Sequence, residues 1–235
     1  MSHSATQAGK AIRPVLFFDV NETLLDLTPV RKTVGAALGG RDDLAPLWFA
    51  TLLQFSLVST VADRYRNFDD LAADALRFVA AKHDIALTPT QARRTVAPLL
   101  TLPPYPEVAP ALRRLQAAGF RLFALSNSSK AGLDAQIRNA ELSPFFEGLL
   151  SVEDVGVFKP HSQVYRWAIQ RADASPAQCW MVAAHGWDVA GALWSGLSAA
   201  FVSRPGQHLL PHAPRPQVVE PDLSRVTDRL LARSC

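Results

Sequence analysis

The sequence predicts an α/β fold in which helices cover both faces of a parallel sheet and a helical domain is inserted after the first strand. Strand and helix patterns alternate after residue 105, an order typical of parallel strands joined by crossover helices. The region 28–102 shows helical patterns alone. A continuous apolar run precedes that region, as in a strand that is buried on both faces.

The first predicted strand, residues 14–20, brings one acid to its carboxyl end. Asp19 follows the apolar run at once, and a turn with the polar side chains of Asn21 and Thr23 comes next. Ligands of open α/β sheets bind outside the carboxyl ends of the strands. Asp19 is therefore a candidate nucleophile, and Asn21 leaves no second acid two residues later.

The helical insert begins directly after this strand and should lie above Asp19. Thr88-Pro89 offers an N-cap and a first-turn residue to its last helix, and a proline-rich linker at 103–106 ends it. We expect the insert to act as a lid over an active site. Its predicted helices span residues 28–38, 44–63, 68–83 and 88–101.

The remainder of the chain completes the predicted core. Helices are predicted at 106–119, 130–142, 163–172 and 189–195, and strands at 121–125, 148–152, 179–184 and, as the last strand, 199–202. The predicted domains are a discontinuous α/β core (13–26 and 103–235), a helical cap (27–102) and a flexible tail (1–12).

The composition is that of a globular protein with a sizeable core, since 49% of the residues are hydrophobic and 19% are charged. The formal net charge of +3 is mild for this length. The basic pairs Arg93-Arg94 and Arg113-Arg114 fall beside apolar positions on predicted helices, a pattern typical of solvated helix faces. We therefore expect no nucleic-acid partner.

The cellular location is predicted from cysteine usage and hydropathy. Two cysteines form no disulfide framework and no CxxC motif, which fits the reducing cytoplasm. The most apolar stretch, residues 44–62, carries several polar side chains, which indicates a buried helix rather than a membrane span. A cytoplasmic protein without a membrane partner is expected.

Four small groups of chemically useful residues lie at predicted strand ends. They are Asp19 with Thr23, Ser126 with Asn127, Lys159 with Tyr165 six residues beyond it, and His185 with Trp187 and Asp188. The carboxyl ends of parallel strands share one edge of a sheet, so these side chains should meet in one crevice. An acid nucleophile, a cation, a hydroxyl–amide pair and a second acid are a set suited to covalent catalysis.

In combination, these motifs resemble the haloacid dehalogenase superfamily, and within it the type II L-2-haloacid dehalogenases. The resemblance covers residues 14–203 and rests on Asp-x-x-x-Thr-Leu, Leu-Ser-Asn, Lys-Pro with its tyrosine, and a strand followed by Trp-Asp. It implies a Rossmann-like parallel sheet with an inserted helical cap, and a homodimer, because related dehalogenases are usually homodimers.

Metal chemistry separates the branches of this superfamily. Its phosphatases bind Mg²⁺ and carry an acid two residues after the nucleophile and another in the fourth motif, where this chain has Asn21 and Ala184. Hard cations need oxygen ligands, and phosphoryl transfer depends on the ion. We therefore expect neither a metal site nor a cofactor, and the dehalogenases need neither.

The resemblance implies a small carboxylic acid as substrate and a two-step displacement. Asp19 would attack the carbon that bears the halogen, and water would then hydrolyse the resulting ester to give a 2-hydroxy acid. Lys159 would keep Asp19 ionised, and Asp188 would orient Lys159 or activate the water. The substrate-binding positions implied are Asn21, Thr23, Phe49, Ser126, Asn127, Tyr165, His185 and Trp187.

The chain departs from the dehalogenase pattern at several of these positions. The family has an arginine that helps to bind the halide where this chain has Phe49. It usually has Ser and Asn where Ala183 and His185 stand, and Tyr and Gly where Asn21 and Glu22 stand. Two alternatives therefore stay open: a phosphatase of a small phosphorylated metabolite, and a protein of the same fold whose activity is lost or altered.

Overall fold

The structure is a computed structural model that describes residues 13–233, so the predicted tail at 1–12 lies outside the described residues. Its centre is one six-stranded sheet with the order β3-β2-β1-β4-β5-β6, and every neighbouring pair is parallel. The strands are β1 (Val15–Phe18), β2 (Arg121–Ser126), β3 (Gly148–Ser151), β4 (Cys179–Ala183), β5 (Ser198–Val202) and β6 (Val218–Glu220). The predicted parallel α/β fold is confirmed.

Helices follow the order that the sequence predicts. A helical segment, residues 28–101, contains α1 (Thr28–Ala37), α2 (Ala45–Val61), α3 (Phe68–Lys82) and α4 (Pro89–Val96). The sheet is accompanied by α5 (Val108–Ala117), α6 (Lys130–Asn139), α7 (Ser162–Arg171), α8 (Gly186–Trp194) and α9 (Leu223–Arg233). The division into core and cap domains stays a prediction.

The strand order places Asp19 at the switch point of the sheet. From β1 the chain moves outward to β2 and β3, and it then returns to the other side of β1 to form β4, β5 and β6. Right-handed crossovers in opposite directions put helices on opposite faces, and the crevice where the order reverses is the usual ligand site. The four residues of β1 are completely buried, so the strand fixes Asp19 rigidly.

The helical segment closes over this end of the sheet. Its own core includes Trp48, which is completely buried and donates from Nε1 to the Ala72 carbonyl oxygen at 2.9 Å. Several hydrogen bonds join the segment to the sheet side of the molecule. The Phe158 backbone N–H donates to Thr60 Oγ1 at 3.0 Å, and Ser129 Oγ donates to an Asp69 carboxylate oxygen at 2.8 Å.

Three sequence predictions of secondary structure were wrong. The strand at 199–202 is not the last, because β6 and α9 follow it. The buried residues of α9 recur with helical spacing and could have been recognised, whereas β6 is three residues long with one buried side chain. The fourth helix ends at Val96 and continues as a 3₁₀ turn, because Pro98 lacks an N–H for the next helical bond.

The third wrong prediction concerns the start of α8. This helix begins at Gly186 rather than at 189, with His185 as its N-cap. Asp188 therefore lies in the first turn and does not cap the helix.

Among residues 13–233, one segment, Asp42–Val61, is long and apolar enough to cross a membrane by length and composition, and 39% of its most apolar window is buried in the protein. The exposed part of this segment carries several large apolar side chains. They are Leu47, Leu57, Val58 and Val61, of which Val61 is 85% exposed. An apolar face of this kind is a candidate contact surface.

Replacing Thr88 with Ala should lower the free energy of unfolding by about 1 kcal/mol, because it removes an N-cap. The Thr88 hydroxyl accepts from the Gln91 backbone N–H, and this half of the capping box is lost, whereas the backbone N–H of residue 88 can still donate to the Gln91 side chain. Urea denaturation measures the change. Thr90→Ala, at an exposed position two residues along, is the control and should cost less; equal losses would contradict the capping role.

Candidate active site

The Asp19 carboxylate is buried and receives three hydrogen bonds. Lys159 Nζ donates to Oδ1 at 2.9 Å, and Oδ2 accepts from Thr23 Oγ1 at 2.7 Å and faces His185 Nδ1 at 3.0 Å. Burial acts to raise the pKa of Asp19, but the charges and hydrogen bonds of Lys159 and His185 outweigh it and hold the pKa well below its usual range. The carboxylate is therefore ionised at neutral pH.

Lys159 is buried, and each N–H of its ammonium group donates a hydrogen bond. Nζ donates to Asp19 at 2.9 Å, to an oxygen of Asp188 at 2.6 Å and to the Leu125 carbonyl oxygen at 2.9 Å. An ammonium has three donors, so each one has an acceptor. Burial acts to lower the pKa of Lys159, yet Asp188 and Asp19 raise it above its ordinary value, so the group stays charged.

Asp188 lies behind Lys159 and is completely buried. One carboxylate oxygen binds Lys159, and the other accepts from the Tyr165 hydroxyl at 2.6 Å. Burial raises the pKa of Asp188 above its ordinary value, against the opposing charge of Lys159. This arrangement fits the predicted role of orienting Lys159, and Tyr165 in turn orients Asp188.

His185 bridges two carboxylates. Its Nδ1 lies 3.0 Å from Asp19 Oδ2, and its Nε2 lies 3.0 Å from Glu22 Oε2. Burial acts to lower the pKa of His185, but hydrogen bonds and charges from both acids raise it to about 9. Both ring nitrogens therefore carry hydrogens at neutral pH, and the side chain is an imidazolium cation.

Glu22 is a site residue that the sequence analysis did not select. It is 4% exposed, its Oε1 pairs with Arg31 Nη2, and Gln207 Nε2 donates to its Oε2 at 3.3 Å. Its backbone has φ 60°, in the left-handed region that disfavours residues other than glycine. The signal in the sequence was the replacement of a usual glycine by an ionisable residue.

Ser126 and Asn127 form the polar turn after β2. The Asn127 Oδ1 accepts from the Lys159 backbone N–H at 2.9 Å, which joins the turn to the lysine loop. Asn127 Nδ2 is buried and has no hydrogen-bond partner among residues 13–233. Ser126 Oγ accepts from the Ser128 backbone N–H at 3.1 Å, so its hydroxyl hydrogen remains available to a ligand.

Asn21 is held in place by a residue far along the chain. Gln136 Nε2 donates to Asn21 Oδ1 at 2.9 Å and also to the Leu99 carbonyl oxygen at 2.8 Å. Gln136 is buried on α6, and it is a second residue that the sequence analysis missed. The amide of Asn21 is therefore fixed by the protein and does not ionise.

Aromatic rings enclose the His185 cation. The Phe49 ring lies against it with centroids 5.9 Å apart and an interplanar angle of 25°, and the Trp187 ring lies against it at 5.0 Å and 19°. Lys159 Nζ is also 5.9 Å from the Trp187 centroid. Aromatic faces attract cations, so Phe49 and Trp187 stabilise the charged ring.

A small cavity of about 10 Å³, room for about one water molecule, lies between the sheet edge and the helical segment. Its walls come from both sides and are Asp19, Asn21, Phe49, Leu53, Phe68, Ser126, Asn127, His185 and Trp187. The structure thus brings the predicted substrate-binding positions of these groups together. Thr23, Lys159, Tyr165 and Asp188 support Asp19 and His185 from behind.

The residues present do not suit a divalent cation. Both oxygens of Asp19 already face cationic groups, Lys159 and His185, which would repel a metal ion. Within residues 13–233, no three His, Cys, Asp or Glu side chains are grouped to hold a metal.

The chain is similar to several known proteins over most of its length. A model of the haloacid dehalogenase-like hydrolases matches residues 14–196. An (S)-2-haloacid dehalogenase of Pseudomonas fluorescens is 33% identical over 188 residues, which are 80% of this chain and 83% of that protein. The (S)-2-haloacid dehalogenase H-109 of Pseudomonas putida is 30% identical over 217 residues, 92% of this chain and 97% of that protein.

The fold is also similar to that of a solved dehalogenase structure. The structure of L-2-haloacid dehalogenase from Xanthobacter autotrophicus superimposes with a TM-score of 0.87 at 25% identity. The superposition covers 93% of this chain and 98% of that one.

The raised pKa of His185 should make folding stability depend on pH. The folded protein keeps the His185 proton up to about pH 9, whereas the unfolded chain loses it near 6.5. The stabilisation, on the order of 3 kcal/mol, is therefore complete below pH 6.5 and is lost as pH rises through 9. Urea unfolding at pH 6 to 10 measures this slope.

The His185→Asn variant should lack this loss of stability between pH 6.5 and 9, whereas His208→Asn, at an exposed position, should retain it. An identical pH dependence in wild type and His185→Asn would contradict the assignment of a buried imidazolium.

Proposed function

Because the chain belongs to the haloacid dehalogenase-like hydrolases, we propose that it hydrolyses the carbon–halogen bond of a short 2-haloalkanoic acid to give a 2-hydroxy acid. One observation carries the proposal. The Asp19 carboxylate is buried, held ionised by two cations, and part of the wall of the small cavity between the sheet edge and the helical segment. A carboxylate in such a place is a suitable nucleophile toward carbon.

In the first step, an oxygen of Asp19 attacks the carbon that bears the halogen, and the halide leaves with the bonding electrons. The product is an ester between Asp19 and the substrate. Lys159 and His185 hold the carboxylate in one orientation, so little reorganisation is needed at the moment of attack. Removal of water by the helical segment keeps the nucleophile poorly solvated and therefore reactive.

In the second step, water attacks the carboxyl carbon of the ester and the 2-hydroxy acid departs. Lys159 stays fixed by Asp188, which Tyr165 orients. This chain of hydrogen bonds keeps a positive charge beside Asp19 while the carboxylate is regenerated. Asp19 thereby returns to its ionised state for the next turnover.

The cavity has room for about one water molecule, so the helical segment must move to admit a haloacid, and the cavity walls then offer donors for the carboxylate of the substrate. Asn127 Nδ2 has no partner among residues 13–233, and the Ser126 hydroxyl hydrogen is available beside it. A buried donor without a partner is costly, so a bound carboxylate would gain both interactions. Phe49 and Trp187 supply apolar walls for the carbon chain and the halogen.

Phosphatase chemistry has no support from particular contacts. Asn21 stands where an acid and base would be needed, and its carbonyl oxygen is engaged by Gln136. The cations around Asp19 would also repel the metal ion on which phosphoryl transfer depends. We therefore propose no phosphatase activity.

Replacing Asp19 with Asn should abolish halide release from L-2-chloropropionate, measured with a chelator present. An amide is not a nucleophile toward carbon, so the loss should exceed about 10³-fold. In a single turnover of the wild type in heavy-oxygen water, the heavy oxygen should enter Asp19 before it enters the product, as peptide mass spectrometry would show.

Asp134→Asn, at a surface ion pair with Arg138, is the matched control and should keep full activity. Absence of halide release from any short haloacid by the wild type would overturn the proposal. Phosphate release from a metabolite panel that depends on magnesium would favour the alternative instead.

We also propose that the chain forms a homodimer through the exposed apolar face of α2. Val58 and Val61 are 58% and 85% exposed there, and Phe78 on α3 adds a further apolar ring at 45%. A second copy would remove this area from water, and each buried methylene contributes about 0.8 kcal/mol. The cytoplasmic location stays a prediction.

Replacing Val58 and Val61 together with Lys should convert a dimer into a monomer, because two charges would face the apolar contact. Light scattering coupled to gel filtration measures the mass. Val219→Lys, at a position 49% exposed on β6, should leave the dimer intact. A wild-type protein that elutes as a monomer at micromolar concentration would contradict the proposal.

A further inference from the structure

The two oxygens of Asp19 differ in how many hydrogen bonds they accept. Oδ2 faces two donors, Thr23 Oγ1 at 2.7 Å and His185 Nδ1 at 3.0 Å. Oδ1 faces one, Lys159 Nζ at 2.9 Å. Each carboxylate oxygen has about two lone-pair sites. Oδ1 therefore keeps a free lone pair with which to attack the substrate, and Oδ2 becomes the carbonyl oxygen of the ester.

The hydroxyl of Thr23 is aimed at Oδ2 by its own partner. The backbone N–H of Ala184 donates to Thr23 Oγ1 at 2.9 Å, so the hydroxyl hydrogen is left to point at Asp19. Arg204 Nη2 donates to the Thr23 carbonyl oxygen at 2.9 Å and fixes the backbone of the turn. The donor is thus placed before any chemistry occurs.

His185 supplies the second donor, and Glu22 determines whether it can donate. While Asp19 is a carboxylate, both acids keep the ring protonated. Esterification removes the charge of Asp19, so Glu22 alone then holds a hydrogen on each ring nitrogen. Arg31 and Gln207 bind the Glu22 carboxylate and hold it in contact with His185 Nε2.

The backbone conformation of Glu22 supports the interpretation that this residue has a functional role. A non-glycine residue at φ 60° is strained, and such strain persists where the surrounding structure enforces it, often at functional sites. Here the strained residue is buried with its carboxylate against His185 rather than exposed in a turn.

We propose that Thr23 and His185 form the oxyanion hole for hydrolysis of the Asp19 ester, and that Glu22 is the positioning residue that keeps His185 able to donate. The inference rests on the proposed dehalogenase function. It assigns the hydrolytic half of that reaction to Thr23, which matches the dehalogenase pattern, and to Glu22 and His185, at which this chain departs from it.

The steps balance as follows for a 2-haloacid. Asp19 Oδ1 forms a bond to C2 of the substrate, and the halide leaves with the electron pair of the carbon–halogen bond. The oxygen of water then bonds to Cγ, and the carbonyl pair moves onto Oδ2, where Thr23 and His185 stabilise the negative charge. When the electron pair on Oδ2 re-forms the carbonyl bond to Cγ, the Cγ–Oδ1 bond breaks. Oδ1 leaves as the hydroxyl oxygen of the 2-hydroxy acid. Of the two water protons, one ends on the departing hydroxyl and the other is released.

The experiment separates the two steps with L-2-chloropropionate in rapid-quench measurements of halide, together with intact-protein mass spectra. The variants are Glu22→Gln, His185→Phe and His185→Asn, the last of which keeps a neutral donor in a side chain of smaller size. His208→Asn, at an exposed position, is the control. Circular dichroism and melting curves establish that each variant is folded.

We expect the Glu22 and His185 variants to release one halide per enzyme and then to slow, because ester hydrolysis is impaired more than ester formation. His208→Asn should turn over like the wild type. The ester should accumulate on Asp19, and turnover should fall about 10²- to 10³-fold for His185→Phe, as for the loss of one oxyanion-hole donor. His185→Asn should restore part of the loss. Halide release that falls in parallel with turnover, without an accumulated ester, would overturn the inference.

A pH profile of ester hydrolysis distinguishes Glu22 from a merely structural residue. The charged groups around His185 are Asp19 and Glu22 in contact, with Lys159 and Arg31 on the far sides of those acids. In Glu22→Gln, the alkaline limb of hydrolysis should shift to lower pH, while the burst still releases one halide per enzyme. If the alkaline limb of the Glu22→Gln profile coincided with that of the wild type, the proposed positioning role of Glu22 would be wrong.

The outcome also separates this inference from the proposed function. A wild type that releases no halide overturns both. A wild type that forms and hydrolyses the ester, with variants that hydrolyse it equally fast, overturns the oxyanion hole alone.

Discussion

The contact between Lys159 and Asp19 is the interaction on which the rest of the site depends. A buried ammonium without a carboxylate is strongly destabilising, and removal of one partner from a buried pair typically costs about 3 to 5 kcal/mol. The pair joins β1 to the lysine loop across the carboxyl edge of the sheet. Asp188 and the Leu125 carbonyl oxygen complete the coordination of the same ammonium, so β2 and α8 are fixed by the same group.

The charges of the site come in complementary pairs, and this pairing explains why Glu22 and His185 occur together. A neutral histidine beside Asp19 would leave Glu22 a buried anion with only Arg31 as its cation. A glutamate without the histidine would add uncompensated negative charge near the nucleophile. Together they add one acid and one cation to the arrangement of Asp19, Lys159 and Asp188, and the local balance is kept.

Much of the fold and the centre of the site could be predicted, because the information lies in short stretches of sequence. The run that ends at Asp19 identifies a buried strand and its acid, and Lys159 and Asp188 follow from motifs in combination. Gln136 could not be found in this way, since its partner Asn21 is 115 residues distant and no local pattern links them. Glu22 was missed because its orientation toward His185 depends on a left-handed backbone that composition does not reveal.

The absence of an arginine at position 49 has a physical explanation in the same charge arrangement. The Phe49 ring lies 5.9 Å from the His185 ring, so a guanidinium there would face an imidazolium at a similar distance. Two like charges at that separation repel by about 3 kcal/mol at an effective dielectric constant of about 20. An aromatic ring instead attracts the cation. The residues at 22, 49 and 185 are therefore one coupled set, in which the cation lies on the sheet side, next to the nucleophile, and an aromatic ring of the helical segment faces it.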